Sequence, residues 1–127
     1  MNRQIAPADI APPAAAYAHA VLSEAPARLL HTAGVVPVHP DGTVPEDLAD
    51  QADVVWANIG AILAAADMGP ADIVSMTTYV VVGEHFGPVM AARDRFMGGS
   101  LAASTLVTVP ALARPEWRVE IALVAAR

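Results

Sequence analysis

Between Pro45 and Gly69-Pro70 the chain carries one uninterrupted helical pattern, and every other element has to be arranged around it. Leu48, Ala52, Val55, Ile59, Ile62, Leu63 and Ala66 recur at three-and-four spacing, which predicts a helix from Glu46 to Met68 with one apolar face. Pro45 suits the first turn, Glu46 and Asp47 complement the positive end of the helix dipole, and Gly69-Pro70 ends the run. Ile73 to Val82 follows as a strand rich in β-branched residues. Its alternation places Val74, Met76, Thr78, Val80 and Val82 on a core face, and Ile73, Ser75, Thr77, Tyr79 and Val81 on a mixed, wetter one. A second helix is expected from about Glu84 to Met97, with Phe86, Val89, Met90 and Phe96 inward and Gly98-Gly99 at its end.

Strands are further expected at Tyr17 to Leu22, Arg28 to about Val38, Ser104 to Val109 and Trp117 to Ala126. Pro7, Pro12 and Pro13 make the first sixteen residues read as an irregular lead-in. The order is then β-β-α-β-α-β-β, an α+β domain of 127 residues in a single unit. Two helices cover one face of such a sheet. With 55% apolar residues against 16% charged, the other face is expected to be covered by self-association.

The charge balance narrows the function. All seven basic residues are arginine, thirteen residues are acidic, and the net charge is -6. A nucleic-acid binder needs a cationic surface to replace phosphate counterions, and no basic run offers one to an anionic membrane either. The absence of cysteine excludes thiolate catalysis, disulfides and Cys-ligated zinc. Met1-Asn2-Arg3-Gln4-Ile5 lacks the charged-then-apolar order of a signal peptide, and no apolar run reaches the roughly 20 residues of a membrane span, so the cytoplasm is the expected location.

Few side chains stand out as chemical candidates. His19, His31, His39 and His85 do not form a zinc-ligand spacing, and no glycine-rich phosphate loop or GxSxG elbow is present. Glu120 does stand out. In the last strand Val119, Ile121, Leu123 and Ala125 alternate with Arg118, Glu120, Ala122 and Val124, so Arg118 and Glu120 point together onto the uncovered face. A carboxylate there is either paired, for instance with Arg118 or across an interface, or put to use.

The chain resembles the RidA (YjgF) family of small trimeric enamine/imine deaminases nearly from end to end. Ala15-Ala16-Tyr17-Ala18-His19-Ala20 occupies the place of a G-P-Y segment, and Thr32-Ala33-Gly34-Val35-Val36-Pro37 that of an S-G-x-x-P segment. Gly42-Thr43-Val44-Pro45 before the long helix, and Arg118-Val119-Glu120-Ile121 with Ala125 near the end, are similar to the family's turn and its V-E-I-x-x-x-A close. The resemblance implies a chorismate-mutase-like fold with two helices on one face of a mostly antiparallel sheet. It also implies a homotrimer with a cleft at each subunit interface, and hydrolysis of imines and enamines without metal or cofactor. In the cleft it implies Glu120 as the catalytic residue that positions water; Tyr17, Gly34, Ser104 and Arg118 are then expected to contact a small-molecule metabolite. A nuclease role, sometimes attached to the family's name, gains nothing from so acidic a chain.

One departure is informative. The family's P-A-R-S segment reads Ala102-Ala103-Ser104-Thr105, so Ser104 stands where an arginine grips the substrate carboxylate. A hydroxyl cannot replace the bidentate guanidinium clamp. Losing such a contact costs about 2–5 kcal/mol, or roughly two to three orders of magnitude in binding. The chain is thus expected to belong to an arginine-lacking branch and not to act on 2-iminopropanoate, with Arg114 and Arg118 as the nearest substitutes for the clamp. Two functions follow as expectations: a hydrolase or deaminase for a substrate without that carboxylate contact, or a trimer that binds a metabolite or partner without chemistry.

Overall fold

The computed structural model describes residues 1–127. In chain order the elements are β1 (Asn2–Ile5), β2 (Ala20–Ser23), β3 (Leu29–His31), α1 (Leu48–Ala65), a 3-10 turn (Pro70–Asp72), β4 (Ile73–Val81), α2 (Gly87–Met97), β5 (Ala103–Val109) and β6 (Val119–Ala126). The main sheet has the strand order β3-β6-β4-β5, and β1 and β2 form a separate antiparallel pair. Within the main sheet β6 runs antiparallel to both its neighbours, while β4 and β5 are parallel and joined by the crossover helix α2.

The core lies between the sheet and the helices. From α1 come Ala52, Val55, Trp56, Ile59 and Leu63; from the sheet come Met76, Val80, Val119, Ile121 and Leu123. Trp56 stacks on Phe96 of α2 with ring centroids 4.7 Å apart, which joins the two helices on the same face. Gln51 is a polar member of this core and is 1% exposed. Its amide donates to the carbonyls of Pro45 and Glu116 and accepts from the backbone N–H of Arg118, so α1 holds the turn that leads into β6.

The helix α1 begins and ends two to three residues inside the expected Glu46–Met68 range: Asp47 is still extended at the start, and Asp67 turns into the left-handed region at φ 54 past the end. Arg28 and Arg127 close that end, donating to the carbonyls of Ala66 and Asp67. Other expectations need correction. The lead-in is not wholly irregular, since Asn2–Ile5 pairs with Ala20–Ser23 before the first proline intervenes. The strand expected over Arg28–Val38 shortens to Leu29–His31, with Val35 returning to bridge Ile121. A bulge at Val74 inverts the start of β4, so Ile73 enters the core, and Val82 is 61% exposed beyond the strand's end. On α2, Phe86 precedes the helix and is exposed, while Ala92 and the stem of Arg93 take the inner positions.

No helix is long and apolar enough to cross a membrane.

Candidate functional site

The face of the sheet turned away from the helices carries the side chains of Ser75, Thr77, Tyr79 and Val81 from β4, and Glu120, Ala122 and Val124 from β6. None of these is in the buried core. Glu120 is the only acidic or arginine side chain in the four strands of this sheet. In the register Tyr79 stands directly opposite it, and Val107 of β5 stands opposite Tyr79. The Tyr79 neighbour was missed in the sequence, where alternation placed it on the wet face without showing which residue of β6 it meets.

A bulge shapes the other side of Glu120. His31 pairs with Val124, whereas Val35 pairs with Ile121, so Ala33 and Gly34 together face Ala122. The hydroxyl of Thr32 accepts the Leu123 N–H at 3.0 Å and keeps the ladder satisfied at the irregularity. Gly34 lies under the Glu120 side chain. A Cβ at position 34 would sit 2.7 Å from Glu120 Cδ and closer still to Oε2. Glycine is required here for close approach rather than for a left-handed backbone. The sequence pairing of Gly34 with Glu120, across 86 positions, is therefore a physical contact.

Arg118 has a different setting. It precedes β6, and its guanidinium donates to Glu84 at 3.0 Å and to the carbonyl of Glu46. The ion pair open in the sequence is Arg118–Glu84 and does not involve Glu120. Arg114 lies in the preceding turn, 5.7 Å from the ring centroid of Trp117.

Tyr17 and Ser104 share another corner of the molecule. Ala18 bridges Ala103 and donates its N–H to Ala102, and the Tyr17 hydroxyl accepts from the Ala14 N–H at 3.3 Å. Ser104 pairs with Met76 and so points to the helix side of the sheet. From Glu120 it lies two strand spacings across and three residues along, roughly 10 Å in each direction. Gly34 and Glu120 thus lie apart from Tyr17 and Ser104 within one chain. Groups of histidine and carboxylate side chains able to hold a metal ion are absent.

Known proteins place this arrangement in context. Residues 8–127 match the family model described as Endoribonuclease L-PSP. The chain is 33% identical over 104 residues to the 2-iminobutanoate/2-iminopropanoate deaminase of Escherichia coli K12, covering 79% of this chain and 80% of that protein. With E. coli K12 TdcF it shares 32% identity over 69 residues, spanning about half, 54%, of that relative's length. Among solved structures, the Rid-family protein YyfB of Yersinia pestis superposes with a TM-score of 0.87 at 32% identity, covering 99% of this chain and 98% of that one. E. coli TdcF with bound serine superposes with a TM-score of 0.73 at 27% identity, over 96% and 93% of the two chains. The expected fold, two helices on one face of a mostly antiparallel sheet, is the one these structures share, and the chain belongs to the Rid (RidA/YjgF, Endoribonuclease L-PSP) family.

Proposed function

We propose that this protein is a cofactor-independent hydrolase of imines or enamines, acting in a cleft between the subunits of a homotrimer, with Glu120 as the catalytic residue. The observation that carries the reading is the Glu120 carboxylate seated on Gly34 beside Tyr79, on a sheet face that the chain's own helices leave bare. Water adds to the C=N carbon, a C–O bond forms, and the C–N bond of the carbinolamine breaks to release ammonia and a carbonyl compound. Glu120 orients the water, takes its proton and returns one to the departing amine. No electrons change hands, so no redox cofactor is needed.

Trimer formation serves a specific purpose in this reading. The separation of Gly34 and Glu120 from Tyr17 within one chain is overcome when a neighbouring subunit presents its Tyr17 to that pair. The Gly34 backbone and Tyr17 then contact the substrate, while Ser104, turned to the helix side, and Arg118, held by Glu84 and the Glu46 carbonyl, stay outside that contact. Leu29 and Val107, 58% and 39% exposed on the bare face, supply apolar surface for the contact.

Turnover of a panel of imines and enamines by wild-type protein and Glu120→Gln tests the proposal. The variant should keep the three-chain mass in sedimentation and lose about a hundredfold or more in kcat. A stable monomer at micromolar concentration overturns the trimer. Activity per folded protein unchanged in Glu120→Gln overturns its catalytic role. Bound metabolite in native mass spectrometry, with no turnover on any member of the panel, marks a binding trimer instead.

A further inference from the structure

We infer that the Glu120 site selects substrates without a carboxylate beside the reacting nitrogen, and binds the protonated, cationic imine; this rests on the reading of Glu120 as the centre of a small-molecule site. The inference comes from the placement of the arginines relative to the bare face. The chain has no lysine, so arginine is its only permanent cation. Arg93 and Arg95 lie on α2, paired with Asp94 and Asp53, on the helix side. Arg28 and Arg127 close the end of α1 at Asp67. Arg3 of β1 pairs with Glu24, and Arg118 is held by Glu84 and the Glu46 carbonyl. Arg114 remains in its turn against Trp117.

None of these guanidinium groups is carried by a strand of the main sheet, whereas Glu120 is. On that face the titratable nitrogen is His31, opposite Val124 and four residues along the strand from Glu120, roughly 13 Å away; His19 stands edge-on to Tyr17 with its ring bonded to the Ala11 carbonyl. An anionic substrate would therefore meet a lone carboxylate with no compensating cation, a like-charge placement that disfavours binding. A protonated imine meets its complement. It is also the form that water attacks most readily, because the positive charge lowers the electron density at carbon, and Tyr79 opposite Glu120, with Thr77 two residues along the strand, makes the same face polar but uncharged.

Three probes of one carbon skeleton separate the charges: serinamide (a cation at pH 6), serine (net neutral) and glycerate (an anion). Calorimetric titration of the wild-type trimer at pH 6 should rank them in that order, with about tenfold or more between serinamide and glycerate. Glu120→Gln should weaken serinamide by about tenfold and leave serine within about threefold. Serine or glycerate binding as tightly as serinamide overturns the charge selection. If that binding still falls in Glu120→Gln or Gly34→Ala, the site reading survives; if it falls in Arg114→Ala, that residue supplies the carboxylate clamp. Failure of all three probes to bind overturns the charge selection and the site together.

Discussion

The carboxylate of Glu120 fills the volume that any side chain at Gly34 would need. The close of the chain and the bulge after β3 are therefore coupled, and a methyl group at position 34 is enough to turn Glu120 out of place. Gly34→Ala should weaken serinamide binding by about tenfold. Its backbone lies outside the left-handed region, so thermal unfolding should shift by no more than roughly 4 °C. Unaltered binding would detach Gly34 from the site.

Gln51 makes a different kind of demand. Its side chain satisfies two carbonyls and one N–H inside the core. Gln51→Leu leaves those backbone groups without partners and should cost about 2–4 kcal/mol in denaturant unfolding. A cost under about 1 kcal/mol would mean that water reaches the turn before β6.

Arg118 and Glu84 are each less than one-third exposed, with side-chain values of 29% and 24%. A double-mutant cycle on Arg118→Met and Glu84→Gln should give a coupling of about 1 kcal/mol that shrinks with added salt. Additive effects would show the pair to be energetically idle.

Activity on 2-iminopropanoate tests the expected loss of the carboxylate clamp. A pyridoxal-phosphate dehydratase supplies the imine, and keto-acid release is followed. Wild-type protein should add nothing measurable to the spontaneous rate. Clear acceleration by the wild type would overturn the requirement for arginine at 104.

Asp41 offers a local test of pH dependence. The Thr43 hydroxyl and N–H both donate to it, and they hold its carboxyl below the usual carboxylate range. A depressed folded-state pKa favours the ionised form, so the Asp41–Thr43 turn is intact above the ordinary value and loosens as pH falls through the lowered one. NMR titration of Thr43→Val should show the Asp41 pKa move upward. No movement would assign the depression to other neighbours.

The helical stretch and the alternation of β6 were legible in the sequence because each is a local, periodic pattern with clear stops. The parity that sets Glu120 apart from Val119 and Ile121 needed nothing else. What local patterns do not encode is how strands slip against one another. The bulge at Val74 put Ile73 on the core side, and the one at Ala33–Gly34 brought glycine under Glu120. Strand β1 was hidden for a related reason: four residues form it only because β2 lies alongside, across a proline-rich stretch. Arg93 carries a charge, yet in the fold its stem sits in the same helix row as Val89 and Met97, a placement that only the packing of α2 reveals. Ser104 faces the helices because its register with Met76, not its sequence neighbours, sets its direction.

The position of β6 has a consequence for the order of assembly. It is the last strand to leave the ribosome and yet lies in the middle of the sheet, between β3 and β4. Until residues 119–126 emerge, those two strands have unpaired inner edges and no short connection to bring them together. The β4–α2–β5 crossover can form beforehand, but the layer beneath α1 cannot. Nascent chains stalled before Val119 should consequently be open to proteases and to chaperones that hold exposed strand edges, and protection should appear in a single step when β6 becomes available.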